Sequence, residues 1–134
     1  ISMSDKSTLS RAFNTLFFDF IKDIINIYPE NKDIAKAQTS FDTIKKMNPS
    51  LIIKMWYPVV YAPYKDVIDA GDITFFFNKN YADDAAKFGN NSEEILKLID
   101  KVRGPISTMD SVNQGHCAQY VQKLSKLSMV YNQL

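Results

Sequence analysis

Glycine is scarce in this chain, and its scarcity excludes more than any motif that is present. The four glycines of the 134 residues stand singly, at Gly71, Gly89, Gly104 and Gly115. Neither a phosphate-cradling P-loop nor a dinucleotide fingerprint can be assembled from them, which argues against a nucleotide-dependent enzyme of those classes. Cysteine occurs once, as Cys117, so there is no internal disulfide framework, and the chain suits a reducing compartment. Histidine also occurs once, as His116. A zinc site fails by ligand count. Adjacent positions on a helix point about 100° apart, so His116 and Cys117 do not face each other as base and nucleophile. Charge of one sign is missing as well. Sixteen basic against fifteen acidic side chains leave a net charge of +1, too little to steer the whole molecule toward nucleic acid or an anionic membrane. No apolar run approaches the roughly 18 residues of a membrane span. The opening ISMSDKSTLSR is polar and does not read as a secretory signal. Met3-Ser4-Asp5 reads as a natural beginning, with Ile1 and Ser2 as a vector remnant and residues 1–6 as a flexible terminus.

What the chain does have is helical periodicity. Hydrophobic residues make up 46% and charged residues 23%, ordinary values for a globular domain. Phe13, Leu16, Phe17, Phe20, Ile21, Ile24 and Ile27 recur at three- and four-residue steps and predict a helix from Ser7 to Ile27, stopped by Tyr28-Pro29. A second helix is predicted from Asn31 to Met47, with Ile34, Ala37, Phe41 and Ile44 as its buried edge. Asn48-Pro49 reads as a cap followed by proline at the first helical position. The helix it opens carries apolar pairs every four positions: Leu51/Ile52, Met55/Trp56, Val59/Val60, Pro63/Tyr64 and Val67/Ile68. So wide a stripe must be buried on more than one side. Kinks are expected at Pro58 and Pro63, and Gly71 is the stop, with Asp72 as the next N-cap. Ile73 to Tyr81 is β-favouring in composition but has no partner strand, so a short helix is expected there. Loop or turn is expected over residues 82–91. Ser92 is expected to cap a helix over Glu93 to Val102, broken by Gly104-Pro105, and the last helix to span Ser111 to Tyr131. The fold class is all-α: one domain over residues 1–134, a compact bundle of five to seven helices with a central proline-kinked helix.

Asp66, Asp69 and Asp72 come every three residues and Asp83-Asp84 follow, which raises a divalent-cation site and a metal-dependent enzyme as a minor reading. The calcium-loop pattern is absent, and a solvated helix end is the simpler explanation. Asn90-Asn91-Ser92 matches the glycosylation sequon without an export signal to support it. Neither a metal nor any other cofactor is expected. Lys97, Lys101, Arg103, Lys123 and Lys126 provide cations on the last two helices. If the fold gathers them, they support a nucleic-acid-associated accessory protein, the alternative function. The main expectation rests on aromatics: Trp56, Tyr57, Tyr61 and the run Phe75, Phe76, Phe77 exceed what one face per helix can bury. Three consecutive phenylalanines cannot all face one interior, so an apolar-aromatic interaction surface is expected among these six, meeting a protein partner or a second copy.

The residues Phe13, Phe17, Tyr28-Pro29, Asn48-Pro49, Trp56, Pro63-Tyr64-Lys65, Gly71-Asp72 and Phe75-Phe76 form, in that order, a pattern along nearly the whole chain. It resembles a pattern in short, mostly uncharacterised helical proteins of large DNA viruses that infect algae and protists. The resemblance carries no catalytic residues. It implies a viral, intracellular setting, in host cytoplasm or virion, and a non-enzymatic interaction or virion-associated structural role.

Overall fold

The computed structural model describes residues 3–78 and 90–134. Helix α1 runs over Met3–Ile27, α2 over Lys32–Met47, α3 over Leu51–Trp56, α4 over Ala62–Asp69, α5 over Phe75–Asn78, α6 over Asn90–Ser107 and α7 over Ser111–Gln133. A π-helical segment, Tyr57–Tyr61, joins α3 to α4. No strand occurs among the described residues, so the all-α expectation holds.

Local chemistry sets the boundaries. Tyr28-Pro29 ends α1 as read from the sequence. Asn31 caps α2, its side chain accepting from the N–H groups of Asp33 and Ile34 at 3.0 and 3.1 Å. Helix α1 starts earlier than Ser7, so residues 3–6 belong to the helix and not to a loose terminus. Pro49 is not the first residue of α3. It sits in the turn ahead of Leu51, where its carbonyl accepts from Ser10 Oγ at 2.9 Å and Asn14 Nδ2 at 2.8 Å. Those two bonds tie the turn to α1 and shift the helix start to Leu51.

The central stretch is kinked, as the prolines require. Pro58 has no N–H to donate and its ring crowds the preceding turn. The chain widens instead: Ala62 N–H reaches back to Tyr57 O, the i→i+5 spacing of a π-helix. Pro63 adds a second disturbance, and Tyr64 leaves helical geometry at φ −126°, ψ 23°. Further on, Gly104-Pro105 does not break α6, which runs on to Ser107. Val102 and Ile106 lie on either side of the proline and are 5% and 1% exposed. Burying both outweighs the one backbone hydrogen bond that Pro105 lacks. Ser92 lies inside α6 and does not cap it, because the helix already begins at Asn90. The expected short helix after Asp72 is present as α5, with Ile73 and Thr74 accepting from the N–H groups of Phe76 and Phe77 at 3.1 Å. The expectations for residues 79–89, Asp83-Asp84 and Ile1-Ser2 lie outside the described residues.

Helix α1 packs along α7, α2 against α6, and the α3–π–α4 spine against α7. The core this creates is continuous. Phe13, Phe41, Ile21, Ile24, Ile34, Ile53, Ile68, Ile106 and Leu124 are each below 2% or at 2% exposure. No described helix is long and apolar enough to cross a membrane.

Candidate functional site

Trp56 sits where the spine meets α1 and α7. Its indole packs edge-on to Phe13 and Phe17, with centroids 5.6 and 6.4 Å apart. Its Nε1–H donates to Ser125 Oγ at 3.0 Å, and Ser125 is fully buried. The one polar atom of the ring is thereby turned into α7 and satisfied. The other side of the ring is left apolar, and there the helices do not close completely.

An apolar cavity of about 60 Å³ lies beside Trp56, walled by Phe17, Phe41, Val60, Ile99, Val102 and Val121, with Phe75 and Phe76 at one side. A smaller apolar cavity of about 40 Å³ adjoins it and shares Phe17, Phe41, Trp56, Val60 and Ile99. Every lining side chain of both is aliphatic, aromatic or methionine. Such a space stays dry, since water needs polar partners to enter.

Helix α5 carries the aromatic side of the cavity. One turn of helix is not stable by itself, and two contacts fix it. Phe75 stacks on Tyr64 with centroids 4.8 Å apart and planes at 23°. Arg103 of α6 lies 5.9 Å from the Phe76 ring centre, donates to Phe77 O at 3.5 Å and pairs with Asp100. All three phenylalanines are half-buried. The structure thus brings Trp56, Phe75 and Phe76 together at one cavity, while Phe77 sits on the same turn outside its lining. Tyr57 and Tyr61 lie elsewhere, on the π segment. Tyr61 is only 4% exposed and its hydroxyl donates to Asp69 Oδ1 at 2.9 Å. That contact takes Tyr61 off any interaction surface. Val60, Ile99 and Val102 are legible in the sequence as apolar helix positions but not as the walls of a site. Nothing in their type distinguishes a wall residue from any other core aliphatic.

The other candidates are dispersed. Asp69 is held by Lys65 at 2.6 Å and by Tyr61, and its carboxyl stays below the usual range because both donate to it. Asp72 is lowered by the Thr74 hydroxyl and N–H, which it accepts in an Asx turn. Among the described residues no three His, Cys, Asp or Glu side chains are placed to hold a metal; Asp83 is outside them. Of the basic residues, Arg103 is committed to α5 and the charge of Lys126 lowers the Asp69 pKa at the end of α4; Lys97, Lys101 and Lys123 are exposed. His116 is exposed. Cys117 is buried, its thiol beside the Met109 sulfur at 3.6 Å, and burial followed by the nearby Asp23 charge pushes its pKa to about 11. Comparison with known proteins adds no constraint to this geometry: no protein-family model, no curated protein and no solved structure matches the chain.

Proposed function

We propose that this chain is a non-enzymatic interaction protein whose apolar cavity beside Trp56 receives an aliphatic side chain of a protein partner. The observation that carries the reading is the cavity itself: an all-apolar space whose wall includes the half-buried Trp56, Phe75 and Phe76 and which the chain's own described residues leave unfilled. Its size selects the occupant. At about 60 Å³ it falls well short of the ~150 Å³ that admits a benzene molecule. A whole small-molecule ligand does not fit, but the tip of one anchoring side chain does, which is how a few residues carry most of an interface's energy. A non-enzymatic role is supported by the arrangement of reactive groups. The thiol of Cys117 is buried and held protonated, so it is a poor nucleophile at neutral pH.

The resemblance to proteins of large DNA viruses supplies the setting of the proposal, in host cytoplasm or virion. Mass spectrometry of purified virions checks the structural version of it; a protein missing from particles removes that version and leaves the intracellular one.

Panning a random-peptide display library on the purified protein tests the binding activity. Enriched peptides should share one aliphatic residue whose replacement by alanine abolishes binding. They should also fail on Ile99→Phe, which places a ring at the cavity wall, with a melting curve confirming that the variant folds. If light scattering shows a dimer that Ile99→Phe converts to monomer, the partner is a second copy. A monomer that enriches no peptides, or binding indifferent to Ile99→Phe, contradicts the proposal.

A further inference from the structure

A second cleft, of about 200 Å³, opens where the start of α1, the α3–π junction and the end of α7 meet. Its lining differs in kind from the cavity beside Trp56. Lys6, Lys54, Tyr57, Tyr131 and Asn132 surround it over Ile53. In a chain of net charge +1, two lysines line one space, and no Asp or Glu is among its described lining residues.

The groups are held in place. Tyr131 is 8% exposed, and Lys6 Nζ lies 5.1 Å from its ring centre, a cation–π contact that fixes the ammonium. Lys54 is exposed and makes no ion pair among the described residues. Its charge is therefore not already neutralised by a carboxylate. Tyr57 is half-buried, its ring packs T-shaped with Tyr61 with centroids 6.2 Å apart, and it is among the residues that line the cleft. Asn132 adds an amide that both donates and accepts.

We propose that this cleft binds a nucleotide unit. The phosphate sits between Lys6 and Lys54, the base lies against Tyr57, and Asn132 reads the base edge. The combination of cations that track a phosphate and an aromatic platform for a base is what single-stranded nucleic acid or a free nucleotide requires. Two lysines act as point charges toward phosphate, whereas bidentate recognition of a phosphorylated side chain calls for arginine, which the cleft lacks. The site is independent of the cavity beside Trp56 and uses none of its walls.

The test is fluorescence anisotropy of a labelled oligouridylate with the full chain over a range of salt, with uridine monophosphate and inorganic phosphate as competitors. Binding should weaken as salt rises. Lys6→Gln and Lys54→Gln should each weaken it several-fold and reduce the salt slope by about 0.7. Tyr57→Leu should cost roughly fivefold to a hundredfold, the range for one base stacked on an aromatic ring. Lys46→Gln, on α2, is the control that should change nothing. If Tyr57→Leu fails to fold, the two lysine variants carry the test, since both change only the head of a surface side chain. Displacement by uridine monophosphate assigns the site to a free nucleotide, and displacement only by a longer strand assigns it to single-stranded nucleic acid. Both support the proposal. It is overturned by no binding at low salt, by an affinity and slope unchanged in the lysine variants, or by inorganic phosphate competing as well as the nucleotide. Binding to phosphatidylserine vesicles, lost in the same variants while the oligonucleotide does not bind, would reassign the cleft to a membrane headgroup and also overturns it.

Discussion

At the scale of single residues, the Trp56–Ser125 hydrogen bond is the feature that links the spine to α7 most specifically. Trp56→Phe keeps most of the ring packing but leaves the fully buried Ser125 hydroxyl without its indole donor. The expected loss is about 1–3 kcal/mol, the range for a buried polar group deprived of its partner. Trp56→Ala should cost about 3–5 kcal/mol, since it also empties the contacts to Phe13 and Phe17. Denaturant unfolding of Trp56→Phe, Ser125→Ala and the double variant checks the coupling. Singles that sum to the double would show that the bond contributes nothing of its own. Cys117 gives a second residue-scale expectation. With its thiol buried and its pKa near 11, alkylation by iodoacetamide at neutral pH should be slow in the native protein and fast in denaturant. Fast native alkylation, followed by mass, would contradict the burial.

At the scale of elements, the stop of α4 is the most exposed to a single substitution. Gly71 has φ +80°, with its N–H on Ile68 O and the Asp72 N–H on Val67 O, both at 2.9 Å, the two bonds of a Schellman cap. A Cβ at Gly71 would meet only Gln122 Nε2, at an ordinary 3.5 Å. The cost of Gly71→Ala is therefore backbone strain and not collision, about 1–2 kcal/mol. Gly71→Asn should cost less, because asparagine tolerates the left-handed region. The contact between α1 and α7 through Tyr120 and Asp23 makes a prediction about pH. The hydrogen bond to Asp23, with burial second, raises the Tyr120 pKa from 10.0 to about 12. A raised folded-state pKa means the native state keeps a proton that the unfolded chain has lost. Stability from this pair is therefore complete below pH 10 and is lost between pH 10 and 12. Denaturation midpoints should fall more steeply over that window in wild type than in Tyr120→Phe.

How much of these elements could be read from the sequence depended on where their cause lies. Tyr28-Pro29, Asn31 and Gly71 act on their immediate neighbours, so the ends they set were legible. The continuation of α6 through Pro105 was not, because it depends on Val102 and Ile106 being buried against elements distant in sequence. The π segment was legible only as a kink: Pro58 announces a disturbed helix, but not how the chain will rewind. The cavity was half legible. Trp56, Phe75 and Phe76 were singled out as excess aromatics, but the aliphatic walls Val60, Ile99 and Val102 become a site only when the helices are assembled.

At the scale of the whole molecule, the exposed large apolar side chains among the described residues are few and scattered. Among the described residues the exposed large hydrophobics are Ile27, Met47, Val112 and Val130, each at or near a helix end. Isolated exposures of this kind need no functional explanation. The cavity beside Trp56 is different, because it is apolar throughout and the half-buried Phe75 and Phe76 at its side are held by Tyr64 of α4 and Arg103 of α6. Its use as the seat for a partner's aliphatic side chain is the central claim. The most direct measurement is methyl NMR of isotope-labelled protein titrated with a peptide enriched in the display experiment. Shifts should concentrate on the methyls of Val60, Ile99, Val102 and Val121 and be absent in Ile99→Phe. Shifts concentrated instead on Ile27, Val112 and Val130, with the cavity methyls unmoved, would contradict it and place binding on the scattered outer surface.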